Sequence, residues 1–128
     1  ANKFDNLAKI KIDNNSLINF SIYKVKHQIF PLTINMMEKH PLASQIFFPL
    51  TKCNFLVVVA PKGNLPEIDK IETFLVPPNT GINYDIGIWH YPLISTTDSE
   101  FIVIDRKTSN DNLIIHNFQE EKIILKYE

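Results

Sequence analysis

Two short segments combine acids and imidazoles at spacings that suit proton transfer or metal ligation. In Met37-Glu38-Lys39-His40-Pro41-Leu42-Ala43-Ser44-Gln45 a carboxylate and an imidazole stand two residues apart. If this segment is extended, Glu38 and His40 project to the same face. Ile34 and Met36 share their parity, so that face is expected to point to the interior. A carboxylate and an imidazole cost free energy there unless they are paired, ligated or hydrated. That cost is the physical reason to look for a site. A polar strand end, marked by Pro41, is the plainer alternative. In Asn83-Tyr84-Asp85-Ile86-Gly87-Ile88-Trp89-His90-Tyr91-Pro92-Leu93, His90 shares parity with Tyr84, Ile86 and Ile88. It too is expected to face inward, with a hydrogen-bonded core histidine as the alternative. Asp105-Arg106 closes an apolar run. It reads either as part of a site or as a surface ion pair, which is worth little.

The elements that must position these groups read as strands. Ile18, Phe20 and Ile22 alternate with Asn19, Ser21 and Tyr23, the period of a half-buried strand. Residues 55–60 are apolar throughout and largely β-branched, as in a strand covered on both faces. Residues 72–76, 101–105, 113–116 and 123–127 are further short candidates. Pro77-Pro78-Asn79-Thr80-Gly81 is a turn. Helical character is confined to a weak signal at 66–71, where proline fits a first turn. Many short strands punctuated by Pro and Gly predict an all-β sandwich or barrel. With 128 residues, one domain over 1–128 is expected.

Composition narrows the function classes. Thirteen basic and 14 acidic residues give a net charge of -1, and the lysines are scattered among acids. No basic stripe for nucleic acid or an anionic membrane follows. The three glycines are too dispersed for a phosphate-cradling loop. No run reaches the roughly 18–20 apolar residues of a membrane span. The opening Ala1-Asn2-Lys3-Phe4-Asp5 lacks a charged start followed by an apolar core, so no secretory signal is expected. The lone Cys53 excludes an internal disulfide and is expected to be buried. A cytoplasmic setting is the simple expectation.

The stretches 31–42, 45–49 and 55–60, with Gly81-Ile82-Asn83-Tyr84, Trp89-His90-x-Pro92-Leu93 and Asp105-Arg106, resemble the bacterial ureidoglycolate lyases in order and spacing. The pairing of Glu-x-His-Pro-Leu with Trp-His-x-Pro-Leu is the specific part. This resemblance implies a cupin-like β-barrel of the jelly-roll type, a homodimer, and a small carboxylate substrate. It also implies release of urea from ureidoglycolate to leave glyoxylate, a step of purine and allantoin breakdown. The chain departs from the usual pattern in several places: Asp5, Asp85 and Tyr91 stand where the family commonly has histidine, Lys39 replaces an arginine and Ala43 a glycine. Those departures keep two alternatives in view. One is a cupin acting on another small hydroxy- or keto-acid derivative; the other is a non-catalytic small-molecule-binding cupin.

For the lyase reading, the resemblance implies Glu38, His40, His90 and Tyr84 as catalytic groups, with Glu38 or His40 as the base. Lys3, Gln45, Asn83, Asp105 and Arg106 would bind substrate, with Arg106 or Lys3 clamping the carboxylate. Compared with cupins at large, Glu38-x-His40-x4-Gln45 repeats the spacing of their first metal motif, and His90 falls where a later histidine ligand would be. A divalent metal on Glu38, His40, Gln45 and His90 is therefore a candidate cofactor, and mixed N/O donors suit Ni, Zn or Mn.

Overall fold

The computed structural model of the chain describes residues 1–107, 110–120 and 123–127. Its regular secondary structure is almost wholly antiparallel strand, consistent with the expected cupin-like all-β class. One sheet runs β1 (Ile18–Val25), β10 (Ser99–Arg106), β4 (Gln45–Pro49) and β7 (Ile82–Tyr84). A second runs β11 (Ile114–Asn117), β3 (Met36–Lys39), β8 (Trp89–His90), β5 (Phe55–Ala60) and β6 (Glu72–Val76). β9 (Ile94–Ser95) also pairs with β5. A small third sheet joins β2 (Leu32–Ile34) to β12 (Ile123–Leu125). The helical signal near 66–71 is realised as a single 3-10 turn, Ile68–Lys70. Among the described residues no helix is long and apolar enough to cross a membrane.

The central strand β5 explains the layering. Its residues are apolar on both faces, and each face joins a different core. Phe55 and Val57 pack with Phe47, Tyr84, Phe101 and Val103 between the two large sheets. Leu56, Val58 and Ala60 pack with Ile34, Met37, Trp89 and Ile94 on the far side, beneath the β2–β12 ribbon. At about 25 cal/mol per Å2 of apolar area removed from water, this double burial stabilises both cores through one strand. Cys53 is a buried free thiol in the first core, as expected.

The parity readings meet the structure at three places. On β1, Ile18, Phe20 and Ile22 face solvent, at 53%, 66% and 50% exposure. Asn19 hydrogen-bonds Asp105 and Ser21 lines an internal cavity, so the polar side of β1 turns inward. The strand alternates as predicted, but the interior it faces is polar. Second, Ile34 does not share the face of Glu38. Asn35 lies between β2 and β3 and breaks the alternation, so Ile34 and Met37 enter the far core while Glu38 faces the cavity. Third, 82–90 is not one strand. Residues 85–88 leave the sheet, and Gly87 takes φ 77°, a left-handed value that favours glycine. Its N–H bonds the carbonyl of His40. Tyr84 and His90 therefore meet through a loop, not through strand alternation.

Gly81 is dictated by packing. A Cβ there would lie 2.8 Å from Cδ2 of Phe48 and 2.9 Å from the Phe47 carbonyl oxygen. That close approach lets the 77–81 turn deliver β7 beside β4, and so places Tyr84 opposite Gln45.

Candidate active site

Between the two large sheets lies a cavity of about 170 Å3. Its walls include Ser21, Tyr23, Glu38, Gln45, Phe47, Tyr84, His90 and Asp105. The volume is below the roughly 300–1,000 Å3 of drug-sized sites, so it suits a small molecule. Larger clefts exist, such as one of about 510 Å3 at Lys9–Asp13 and Ile86, but they are open surface features. The inner cavity is where half-buried and buried titratable groups converge.

Strand register brings the acid and the imidazoles together. Glu38 of β3 pairs directly with His90 of β8. Oε1 of Glu38 lies 3.6 Å from Nε2 of His90, an ion-pair distance longer than a hydrogen bond. His40 follows β3 and sits behind the wall, its ring centroid 5.2 Å from that of His90. One ligand atom from each of Glu38, His40 and His90 lies within 4.8 Å of the others.

The hydrogen bonds on the far side of each ring decide the chemistry. Nδ1 of His40 is 2.8 Å from the carbonyl oxygen of Asn112, and Nδ1 of His90 is 3.1 Å from that of Ile88. A carbonyl can only accept, so each Nδ1 carries the proton and each Nε2 presents a lone pair in the neutral ring. Nε2 of His40 is buried and has no hydrogen-bond partner among the described residues. Two imidazole lone pairs and a carboxylate thus point at one another. Such a donor set is stable when a proton or a cation lies among them, and outer bonds from ring N–H to carbonyl are the usual support of a histidine ligand. The three residues fit a divalent ion with mixed N/O donors. Gln45, the fourth expected ligand, donates its amide to Oδ2 of Asp105 at 3.1 Å.

Burial pushes the Glu38 carboxyl up, but the contact with His90 and the charges of His90 and His40 outweigh it, and the carboxyl is held below its usual range. Glu38 is therefore ionised at neutral pH. Tyr84 stacks flat on His90, with centroids 4.2 Å apart and planes 9° from parallel. Its hydroxyl is buried without a hydrogen-bond partner among the described residues. Burial, then the Glu38 charge, raises the phenol above its ordinary value, so it stays an O–H donor. Asp105 accepts from Asn19 at 3.2 Å as well as from Gln45.

The remaining predicted residues lie elsewhere. Arg106 is buried on the outer side of β10, where Nε meets Oδ1 of Asp13 at 2.8 Å and Oγ of Ser16 at 3.1 Å, and Nη1 meets Asp111 at 3.2 Å. Lys3 is exposed and pairs with Asp5. Asn83 donates to the carbonyl of Lys9. None of the three is among the residues lining the cavity, and its described walls contain no lysine or arginine. Asp85 faces away from it, bound by Lys11 and Lys62. Ser21, Tyr23, Asn19 and Asn112 were missed. The polar parity of β1 was the available signal for the first three; Asn112 is 72 positions from His40 and gave none.

Comparison with known proteins gives consistent matches. The sequence profile of the family described as ureidoglycolate lyase matches residues 1–125. A ureidoglycolate lyase of Azotobacter vinelandii is 42% identical over 106 residues, covering 82% of this chain and 64% of that protein. One of Pseudomonas fluorescens Pf0-1 is 38% identical over 128 residues, covering 96% of this chain and 75% of its own. One of Pseudomonas paraeruginosa is 40% identical over 114 residues, covering 88% and 66%. This chain thus spans about two-thirds of the length of several curated relatives it matches.

Proposed function

This chain belongs to the ureidoglycolate lyase family, and from that premise we propose that it is a lyase that splits ureidoglycolate into glyoxylate and urea. The observation that carries the reading is the convergence of Glu38, His40 and His90 beside a small cavity. Ureidoglycolate bears a hydroxyl and a ureido nitrogen on one carbon, next to a carboxylate. Its cleavage moves one proton off the hydroxyl and one onto the departing nitrogen, while the C–N bond breaks and the aldehyde C=O forms.

The chain's residues suit those tasks. Glu38, ionised and half-buried on the cavity wall, takes the hydroxyl proton, and Nε2 of His40, behind that wall, supports it at one remove. The Tyr84 hydroxyl, a donor without a partner, serves the leaving nitrogen or its carbonyl. Asp105 and the Gln45 side-chain carbonyl form an acceptor edge matched to ureido N–H groups. The site residues carry these roles as our reading. A substrate carboxylate entering beside Glu38 and Asp105 needs positive charge, and the lining residues have no lysine or arginine to supply it. A divalent ion such as Ni, Zn or Mn on Glu38, His40 and His90 would supply that charge and lower the hydroxyl pKa.

We place the protein in the cytoplasm as a homodimer. The outer face of the β1–β10–β4 sheet supports the second point. Phe20, Ile22 and Phe48 are exposed there, in register with Ile102 and Ile104. A contiguous apolar face of this kind marks an interaction surface, and a Phe20→Glu variant should sediment as a monomer if a second copy covers it.

Product analysis tests the activity. Metal-replete protein given fresh ureidoglycolate should yield glyoxylate and urea in equal amounts, and chelator should reduce the rate. Glyoxylate with ammonia would make it an amidohydrolase instead. Folded, metal-replete protein that forms no product would overturn the reading.

A further inference from the structure

We propose that Arg106 and the 3-10 turn Asn110–Asn112 form a positioning device for His40, so that Arg106 acts on the site at a distance and not as a substrate clamp. The chain of contacts is continuous. Arg106 is held on one side by Asp13 and Ser16. On the other it bonds Asp111, at 3.2 Å. The next residue, Asn112, is buried and grips the segment after β3 twice. Its carbonyl oxygen takes the Nδ1 proton of His40 at 2.8 Å, and its Oδ1 takes the N–H of Leu42 at 2.9 Å. The backbone carbonyl of His40 is held in turn by Gly87. The ring therefore has its Nδ1 proton committed to a carbonyl and its Nε2 lone pair turned toward Glu38 and His90.

The physical consequence is a fixed tautomer. A free neutral imidazole exchanges its proton between the two nitrogens. Here the Asn112 carbonyl favours the Nδ1–H form, leaving Nε2 as base or ligand. A guanidinium clamped by two carboxylates is a rigid anchor for the turn, because its planar fork fixes both partners in direction. The Asp13 hydrogen bond comes first, and with Asp111 it raises Arg106 further above its ordinary value, so the anchor stays charged. The site residues supported by this network are those of the reading above, but the first readout below needs no substrate.

The test is long-range 1H–15N spectroscopy of the histidine rings at neutral pH, with His40 assigned by difference from a His40→Gln variant. The wild-type protein should show His40 protonated at Nδ1 with a bare Nε2. Asp111→Asn and Asn112→Ala should shift the ring toward a mixture of tautomers. Activity on ureidoglycolate and affinity for Zn or Mn should then fall roughly 10–100-fold in Asn112→Ala, the range usual for groups that orient a ligand. KM should change little compared with kcat. Glu67→Gln, which breaks a remote exposed ion pair with Lys70, should leave the ring spectrum unchanged. A wild-type His40 protonated at Nε2, or folded Asp111 and Asn112 variants with unaltered tautomer populations, would overturn the proposal. The tautomer result stands or falls apart from the lyase reading, because it is measured without substrate.

Discussion

Glu38 and Asp85 occupy neighbouring segments, linked through the bond from Gly87 N–H to the His40 carbonyl, yet their surroundings are opposite. Asp85 accepts from Lys11 at 2.9 Å, from Lys62 at 3.0 Å and from the N–H of Ile86 at 2.8 Å. The Lys11 bond, then the Lys62 bond, hold its carboxyl far below the usual range. Every demand of that carboxylate is met at the surface. Glu38 faces imidazole nitrogens whose own protons are committed elsewhere, with Nε2 of His90 3.6 Å from its Oε1. The larger pKa displacement of the two belongs to Asp85, the group farther from the cavity. Perturbation alone is thus a poor guide here, since structural ion clusters produce it as readily as active sites. What marks the site is incomplete satisfaction: a charge, two lone pairs and a phenol hydroxyl held together in a largely buried setting at a cost to folding.

Substitutions can break this contrast. The largest effect is expected for Glu38→Gln, which keeps shape and removes charge. Turnover should fall by roughly 10²–10⁴, the scale of a lost general base, while the thermal midpoint holds or rises. Full activity in that variant would leave Asp85 and Glu38 on the same footing and remove Glu38 from the chemistry. Tyr84→Phe comes next. One hydrogen bond to the reacting molecule is worth about 1 kcal/mol, so a rate loss of about fivefold is expected. Stability should rise, because the variant no longer buries a hydroxyl without a partner; a marked loss of stability would mean that the hydroxyl is bonded in solution.

Asp85→Asn should have the smallest effect and the clearest pH signature. Its folded pKa lies below the ordinary 3.8. Its contribution to stability is therefore fully present above that value and is lost as pH falls through the folded value. The gap in thermal midpoint between wild type and variant should be constant near neutrality and shrink in acid below pH 3.8, with turnover unchanged throughout. A turnover loss comparable to that of Glu38→Gln would place Asp85 in the site and erase the contrast.

The register of Glu38 against His90 was approached in the sequence by a wrong route that reached a sound grouping. Parity along 34–40 and 82–90 assumed unbroken strands. Asn35 and the 85–88 loop break both, but the break leaves Glu38, Tyr84 and His90 facing one cavity. Parity on β1 left the inward face open for a more general reason. Alternation reports that a strand has two unlike faces; it does not report which face meets a polar interior. At β1 the polar face met the cavity, and Ile18, Phe20 and Ile22 were left outside.

By itself the sequence determined what local chemistry can determine: short strands, their turns, the two-faced apolar β5, and the family motifs that carry Glu38, His40 and His90. Those properties depend on residue type and spacing over a few positions. Only the tertiary structure decided that Arg106 is bound to Asp13 and Asp111 outside the cavity, that Asn112 reaches His40 across 72 positions, and that the cavity's described walls hold carboxylates without a lysine or arginine. Each of those depends on which distant strands pair and on which side of a sheet a side chain emerges, and no local pattern encodes that choice.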